Sequence, residues 1–444
     1  MELTDSQKIG LQKTIEWWNS PTRKQVWHIS GAAGTGKSTL VYALIDNISL
    51  DMAEVAFATY TGKAALVLTL KKCKATTIHK LIYNLEVEIR NKLDSEGKEI
   101  IDPKTNKPIT EEKLVFVKKE ALPNNIKLIV IDECSMLGEE IYTDLLSYNI
   151  PIIILGDKYQ LGPINDAHIN LPDPDVELTE IMRQKEGDPI IYLATRARNG
   201  LSIEDGAYGK CYVVDRSNID DDLYTGSIAC NTILSNANIV LCRTNRSREA
   251  LNTHIRKKIY GITKSLPTMG DKIICRKNNW EKALTLTEGD LANQYINLVN
   301  GLIGYVHSPI TTEDVNMDIS SMYVDFMPEI SKSDFFQHLP ISVLPFISVE
   351  EKNKKLMEYI QWKHFSEKGD KCNLFEYAYA ITVHLSQGSS WKKVVIYDEK
   401  YGDDYYNSLY TAITRAEKQV IIFKDHSRKS MQFYGNFNKK KKVK

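Results

Sequence analysis

The stretch GAAGTGKST, residues 31–39, has the spacing of a loop that holds phosphate groups. Its glycines let backbone N–H groups turn toward phosphate oxygens, and a following helix presents its positive N-terminus to them. Lys37 can reach the β and γ oxygens, while Ser38 can bind Mg²⁺. The sequence therefore predicts a nucleoside triphosphate site formed by Gly31, Gly34, Thr35, Gly36, Lys37, Ser38 and Thr39.

Two acidic residues follow the apolar run at the start of LIVIDECSM (128–136). Asp132, at the edge of a buried strand, can hold Mg²⁺ through its water shell, and Glu133 can accept a proton from an attacking water. The alternative is that both acids only cap a loop. Gln160, in LGDKYQLGPI, can contact the γ-phosphate or that water, although a loop glutamine is usually just solvated. The acidic pair favours hydrolysis of the nucleotide over transfer of its phosphoryl group to a small acceptor.

Strand-length apolar runs alternate with helical patterns along the chain. VWHIS (26–30) precedes the glycine loop, and the apolar residues after that loop are spaced as one stripe of a helix. Continuous apolar runs such as VAFAT (55–59) are typical of strands buried on both faces of a parallel sheet. The alternation returns after residue 238, so we predict two α/β halves. Residues 91–119 are predicted to form an inserted β-hairpin, and residues 306–374 a small mixed insert.

The charges of the chain balance, with 57 Lys plus Arg against 57 Asp plus Glu. This balance neither indicates nor excludes nucleic-acid binding, because the charge along one groove decides it. The basic tail NKKKKKVK is a solvated end, a tether to nucleic acid or a targeting signal. The 7 cysteines form no C-x-x-C pair, which indicates reduced structural thiols. Without an apolar run of membrane-spanning length or a signal-peptide layout, we expect a cytoplasmic protein.

Ten segments carry a resemblance to a known family. They are LTDSQ (3–7), GAAGTGKST (31–39), TYTGKAA (59–65), TIHKLI (77–82), VIDECSML (130–137), LGDKYQLGPI (155–164), LTEIMRQ (178–184), CRTNRSREALN (242–252), ITVHLSQGSS (381–390) and LYTAITRAE (409–417). In this order they resemble the superfamily 1 helicases of the RecD/Dda type, and most closely the small phage members of that family. The resemblance covers most of the chain, excluding residues about 91–113 and 310–374.

The resemblance implies an α/β fold of two RecA-like P-loop lobes with ATP and Mg²⁺ between them. The implied division is lobe 1A at 1–82 and 121–187, hairpin insert 1B at 83–120, lobe 2A at 188–305 and 375–435, an SH3-like insert 2B at 306–374, and a basic tail at 436–444. Arg183 and Arg415 match family arginines that reach the γ-phosphate, Arg415 from the second lobe; a surface ion pair is the alternative for each. Gly388 is an implied nucleotide contact.

Gln7 matches the family's adenine-reading glutamine. TDSQ is also a helix capping box, with Thr4 as the N-cap and Gln7 reaching back to it. The two roles compete for the same side chain.

The remaining motifs resemble those that contact single-stranded DNA. The implied contacts are Thr59, Thr61, Lys63, Thr77, His79, Phe116, Thr244, Asn245, Thr382, His384 and Ser386. A structural role is equally open for either histidine, and Phe116 either stacks on a base or packs within the hairpin. Trp280 is a speculative contact. Leu385 stands where the family usually has Lys, which removes one phosphate contact, and Gly162 stands where Pro is common.

These implications lead to the hypothesis of an ATP-driven helicase that moves 5′ to 3′ on single-stranded DNA, with the hairpin as a wedge. One alternative is a translocase that displaces bound proteins with little unwinding. Another is a nucleic-acid-binding module that does not hydrolyse ATP. The expected partners are single-stranded and forked DNA, with replication or recombination proteins as further partners. We expect a monomer that acts, without a membrane, in a bacterial or phage-infected cytoplasm.

Overall fold

The computed structural model describes residues 3–70, 73–91, 98–102, 107–162, 173–180, 187–215, 228–288, 291–311, 313–316, 321–347 and 372–425. Three sequence predictions lie wholly or partly outside these residues: the contact of Arg183, the 306–374 insert at residues 348–371, and the basic tail at 436–444. Within the described ranges, no helix is long and apolar enough to cross a bilayer.

The strands are β1 (Val26–Gly31), β2 (Val55–Thr59), β3 (Ala75–Thr77), β4 (Tyr83–Asn91), β5 (Thr110–Lys118), β6 (Leu128–Asp132), β7 (Ile152–Gly156), β8 (Val176–Leu178), β9 (Gly206–Tyr208), β10 (Cys211–Asp215), β11 (Ile239–Cys242), β12 (Lys272–Cys275), β13 (Asn279–Thr285), β14 (Tyr295–Leu298), β15 (Ile303–Val306), β16 (Val315–Asn316), β17 (Ser321–Pro328), β18 (Phe336–Ser342), β19 (Phe375–Tyr377), β20 (Ala380–Thr382), β21 (Trp391–Tyr397) and β22 (Ala416–Lys424). The α-helices are α1 (Asp5–Asn19), α2 (Lys37–Asn47), α3 (Gly62–Leu70), α4 (Ile78–Ile82), α5 (Glu139–Leu146), α6 (Pro189–Arg198), α7 (Ile228–Ser235), α8 (Asn245–His254) and α9 (Tyr405–Ile413).

The first half of the chain is built around a six-stranded parallel sheet with the order β3-β2-β6-β7-β1-β8. Alternate residues of β6 point to opposite faces. Leu128 and Val130 join the core under α1 and α2, whereas Ile129 and Ile131 join the core under α4 and α5. Because helices cover both faces, most strand positions are apolar, which explains the continuous apolar runs.

The second half repeats this design with the order β20-β11-β21-β22-β10-β9. Neighbouring strands are parallel except at one edge, where β9 runs antiparallel to β10. Helices α6 and α9 pack on one face, and α7 and α8 on the other. The prediction of two α/β halves is confirmed.

A third sheet is antiparallel and has the order β16-β17-β15-β12-β19, with β18 paired to β17. It draws strands from residues 272–377 and so starts before the 306–374 insert predicted from the sequence. Its likeness to an SH3 fold stays a prediction. Leu66 of α3, from the first half, completes the core of this sheet. The antiparallel sheet is therefore packed against the first half.

Two hairpins stand apart from these sheets, β4–β5 and β13–β14. The β4–β5 hairpin pairs from Tyr83↔Lys118 to Asn91↔Thr110 in one continuous antiparallel register. Its first strand lies before the hairpin predicted from the sequence at 91–119, and the bounds 83–120 came from the family resemblance. Leu85, Val87 and Ile89 of β4 are all exposed. These three side chains lie on one face of the hairpin, so that face exposes apolar residues to solvent.

Candidate nucleotide cleft and strand-contact residues

The carboxyl ends of β2, β6, β7 and β1, which are neighbours in that order, meet at one edge of the first sheet. The residues at or just after these ends include Thr59, Asp132, Asp157 and the glycine loop. Open parallel sheets form ligand sites at this edge, because the loops that leave adjacent strands converge there. Sheet topology thus brings together segments that are far apart in the sequence.

The glycine loop connects β1 to α2, which begins at Lys37. Gly34 and Gly36 have φ angles of 86° and 76°, a left-handed conformation that costs glycine little. The Nζ of Lys37 donates to the carbonyls of Gly31 at 2.7 Å and Ala32 at 3.2 Å. The ammonium group therefore lies over the loop that is predicted to hold phosphate.

The two acids lie beside this loop, at the end of β6. The Oγ of Ser38 donates to Oδ2 of Asp132 at 3.5 Å, so a hydroxyl and a carboxylate oxygen are adjacent. Hard divalent cations prefer such oxygen ligands, and this pair fits the predicted Mg²⁺. The backbone N–H of Glu133 donates to Oδ1 of Asp132 at 2.9 Å.

Glu133 has a left-handed backbone, with a φ of 57°, which is uncommon outside glycine and is found at functional sites. Burial raises the pKa of Glu133, and the nearby carboxylates of Asp132 and Asp157 raise it further. The positive charges of Arg415 and Lys37 act in the opposite direction. A carboxylate with a raised pKa is a stronger base toward water.

Residues from both halves line one cleft with a volume of about 790 Å³. The first half contributes Lys37, Ser38, Asp132, Glu133 and Gln160, and the second half contributes Gly388 and Arg415. Gln160 is buried, and among the described residues no donor reaches its Oε1. Arg415, also buried, donates to the carbonyls of Thr411 and Ser389. The structure thus places most of the predicted catalytic residues around one space.

Gln7 forms the predicted capping box. Its Oε1 accepts from the N–H of Thr4 at 3.0 Å, while its own N–H donates to the Thr4 hydroxyl. Its Nε2 donates to the carbonyls of Thr35 at 3.0 Å and Gly36 at 3.4 Å. The side chain therefore ties α1 to the glycine loop, and adenine recognition stays a prediction.

Several predicted DNA contacts in the first half are local caps. The Thr59 hydroxyl donates to the Thr61 carbonyl at 2.8 Å, and the Thr61 hydroxyl accepts from the N–H of Ala64 at 3.2 Å. Thr77 is the N-cap of α4 and accepts from the N–H of Lys80. These hydroxyls stabilise the loops that match DNA-contacting motifs of the family. Their own contact with DNA stays a prediction.

Lys63 was predicted to contact DNA, and it lines the nucleotide cleft. Burial lowers its pKa, and Lys272 lowers it further, whereas the carboxylate of Glu329 raises it. Glu329 belongs to the loop after β17 and is paired with Lys272 at 2.5 Å. The antiparallel sheet therefore contributes a carboxylate to the wall of the cleft.

His79, Tyr83 and Phe116 form an aromatic cluster where the hairpin joins the first half. The ring centres of His79 and Phe116 are 5.2 Å apart, and those of Tyr83 and Phe116 are 6.0 Å apart. Phe116 is 60% exposed, whereas burial lowers the pKa of His79. Phe116 thus packs within the hairpin and also offers an open ring face.

Thr244 of the second half is the N-cap of α8, the helix that begins at Asn245. The Thr244 hydroxyl donates to Oε1 of Glu399 at 3.0 Å and accepts from the N–H of Ser247. The N–H groups of Arg243 and Thr244 also donate to Glu399. A carboxylate therefore accepts from the Thr244 hydroxyl, and the contact of Thr244 with DNA stays a prediction.

The segment ITVHLSQGSS (381–390), which matches the fifth family motif, begins in β20 and lies at the seam between the halves. Thr382 and Ser386 are buried, and the Ser386 hydroxyl donates to the Val383 carbonyl at 2.6 Å. Burial lowers the pKa of His384. Leu385, which stands where the family usually has Lys, packs against the core of the second half. This leucine is accounted for by packing.

Sequence reasoning missed Tyr410, Asp157 and Glu329. Tyr410 and Asp157 lie in segments quoted for the resemblance, and the hydroxyl of Tyr410 donates to Oδ2 of Asp157 at 2.6 Å. A tyrosine in the same quoted segment as Arg415 was the available signal, but its partner Asp157 lies in the other half. No sequence pattern pointed to Glu329.

Two family models match the chain. Residues 3–208 match an AAA domain, and residues 377–423 match a UvrD-like helicase C-terminal domain. The first match includes the glycine loop, and the second includes Arg415.

Relatives and solved structures agree with these matches. The ATP-dependent DNA helicase dda of Enterobacteria phage T4 is 31% identical over 304 residues, which cover 62% of this chain and 61% of that protein. The ATP-dependent RecD2 DNA helicase of Deinococcus radiodurans is 29% identical over 176 residues, 37% of this chain and 21% of that protein. The match thus spans about three fifths of the phage relative's length.

The structure of Bacteroides Pif1 bound to ssDNA superposes with a TM-score of 0.52 at 16% identity, over 96% of this chain and 93% of that one. Pif1 helicase from Candida albicans gives a TM-score of 0.50 at 17% identity, over 98% and 99%. These two likenesses concern the fold. The ordered motifs, the family matches and the phage relative together show that this chain is similar to the superfamily 1 helicases of the RecD/Dda type.

Proposed function

We propose that this chain is an ATP-driven DNA helicase. The observation that best supports this function is that Arg415 of the second half lines the same cleft as Lys37 and Glu133 of the first half. A guanidinium that reaches the γ-phosphate from a second body makes hydrolysis depend on the spacing of the two bodies. That dependence links ATP turnover to movement.

The residues of the cleft have distinct proposed roles. Glu133 takes the proton of the attacking water, which Gln160 orients. Lys37 exchanges its contacts with loop carbonyls for the β and γ oxygens of ATP. Mg²⁺, held by Ser38 and through water by Asp132, would neutralise charge on those oxygens.

DNA is the proposed polymer. The phage T4 relative is named a DNA helicase, and the Bacteroides Pif1 structure contains ssDNA. The open ring of Phe116 supports a base-stacking contact, because aromatic rings stack on any base. The hairpin that carries Phe116 would separate the strands of a fork. Translocation from 5′ to 3′ rests on the family resemblance.

The test measures ATP turnover with and without single-stranded DNA, and strand separation on duplexes that carry a 5′ or a 3′ overhang. We expect turnover to rise with DNA and unwinding to start from the 5′ overhang. The Lys37→Ala variant is the control and should lose turnover while it still binds DNA.

Other outcomes would contradict a specific part of the proposal or identify a different function. Turnover that is indifferent to DNA contradicts the motor, and unwinding only from the 3′ overhang contradicts the polarity. Removal of a protein from single-stranded DNA without strand separation would instead identify a translocase.

A further inference from the structure

The turn that follows β7, residues 157–162, is held by side chains of the other half. Asn407 and Tyr410 of α9 donate to the carbonyl of Tyr159 and to the carboxylate of Asp157, and Thr411 accepts from the N–H of Leu161. Gln387 of the fifth motif donates to the carbonyl of Leu161 at 3.0 Å. Four hydrogen bonds therefore cross the seam to this one turn.

Tyr410 makes two hydrogen bonds across the seam. Its hydroxyl donates to Oδ2 of Asp157 at 2.6 Å and accepts from the N–H of Ala33, in the glycine loop, at 3.4 Å. Tyr410 is 2% exposed and Asp157 is 4% exposed. Burial and the adjacent Asp157 raise the pKa of Tyr410, so the hydroxyl remains a donor over the physiological range. One hydroxyl from the second half thus contacts two loops of the first half.

Asp157 in turn sets the shape of the turn that carries Gln160. Its Oδ1 accepts from the N–H of Tyr159 at 3.1 Å, and its carbonyl accepts from the N–H of Gln160 at 3.0 Å. A shift of the Asp157 carboxylate would therefore move Gln160 relative to the cleft.

The other end of this connection is Arg415. Its Nε donates to the carbonyl of Thr411, which is the residue after Tyr410. Gln160 and Arg415 line the cleft from opposite halves. Tyr410 therefore lies on a continuous chain of contacts between these two residues.

We propose that Tyr410 is a positioning residue, which transmits the spacing of the two halves to Gln160 and the glycine loop. This inference rests on the proposed ATP-driven function. The Tyr410–Asp157 hydrogen bond makes the alignment of Gln160 depend on where α9 lies. DNA, by changing the spacing of the halves, then changes the turnover rate through this bond.

The experiment compares Tyr410→Phe with Tyr405→Phe. Tyr405 lies on the same helix, and its hydroxyl donates to Oδ2 of Asp398 at 3.0 Å within the second half. Both variants lose one tyrosine–aspartate hydrogen bond, but only Tyr410→Phe loses a bond across the seam. The measurements are kcat and KM for ATP with and without saturating single-stranded DNA, DNA affinity without nucleotide, and Tm.

We expect Tyr410→Phe to lower the DNA-stimulated kcat by about tenfold, which lies within the usual range of coupling between sites. The stimulation by DNA should fall more than the unstimulated kcat does, while the DNA affinity stays close to wild type, as should all parameters of Tyr405→Phe. A merely structural role would lower Tm and leave the stimulation of the folded fraction unchanged.

The outcomes separate this inference from the proposed function. Wild-type protein without DNA stimulation contradicts the proposed function itself. Normal stimulation in both wild type and Tyr410→Phe overturns the inference alone. If Tyr410→Phe does not fold, Asn407→Ala and Thr411→Val remove other bonds to the same turn. Loss of stimulation in either folded variant supports the coupling, and full stimulation in both overturns it.

Discussion

Gly388 of the second half lies against Ala64 of the first half, with no room for a side chain between them. A Cβ on Gly388 would lie 2.8 Å from the Cβ of Ala64, and the φ of Gly388 is +74°. Both residues line the nucleotide cleft. The two halves can approach this closely because residue 388 is a glycine.

We predict that Gly388→Ala lowers the kcat of ATP hydrolysis. The left-handed backbone costs an alanine about 1–2 kcal/mol, and the clash with Ala64 also forces the halves apart. Gly270→Ala is the matched control, because Gly270 has a φ of +87° and nothing within 4 Å of its added Cβ. Steady-state kinetics should show a loss only for Gly388→Ala. Equal losses in both variants would assign the effect to backbone strain.

The pH dependence of turnover should report the environment of Glu133. Burial raises its pKa above the ordinary value of 4.5, and a general base is active only when it is deprotonated. Turnover should therefore fall as the pH falls through a pKa above that value. A profile of kcat/KM against pH measures this acid limb.

Glu133→Gln provides the control for that profile. It should reduce kcat by about 10²–10⁴-fold, the usual contribution of a general base, with nucleotide affinity retained. An active Glu133→Gln variant, or an acid limb typical of an exposed glutamate, would remove Glu133 from this role.

Arg415 should affect both the rate and the acid limb. Arg415→Gln is expected to lower kcat by about 10³–10⁵-fold, as for arginines that contact transferred phosphoryl groups. Because the charge of Arg415 lowers the pKa of Glu133, its loss should move the acid limb of the residual activity to higher pH. Arg415→Lys keeps the charge but not the planar fork, so it should slow turnover while it largely retains the position of the limb. A limb that moves equally in both variants would contradict this electrostatic link.

Substitutions of Phe116 can show whether its ring stacks on a base or only packs within the hairpin. Phe116→Ala should weaken binding of single-stranded DNA by about 1–3 kcal/mol if the ring stacks on a base. Phe116→Trp, which keeps an aromatic face, should restore much of that affinity. Fluorescence anisotropy measures binding, and Tm measures packing against His79 and Tyr83. A fall in Tm with unchanged DNA affinity would identify a packing role.

Features defined within a few residues could be read from the sequence. The glycine loop works through backbone N–H groups and a helix N-terminus that follow one another, so spacing alone identifies it. The parallel strands could be recognised because burial on both faces requires continuous apolar runs, as in β2 and β6. The alternation of short strands around a turn predicted a hairpin in this region, although β4 lies before the predicted residues 91–119.

Features that depend on how distant segments pack could not be read in this way. The extent of the antiparallel sheet depends on β12, whose strand partners lie up to about a hundred residues later in the chain. Thr244 was predicted to contact DNA, and the partner of its hydroxyl, Glu399, lies 155 residues later in the chain. Neither the strand partners of β12 nor Glu399 is marked by a local sequence pattern, because these contacts form only when the chain has folded.

Residue types and their spacing identify the side chains of this protein that can bind phosphate, hold a metal ion or accept a proton. Tertiary structure alone decided how those groups are linked across the seam, as in the pairing of Tyr410 with Asp157. The reason is physical: catalytic side chains reveal themselves by type and short-range spacing. A hydrogen bond between two halves depends on the docking of whole sheets, which no short stretch of sequence encodes.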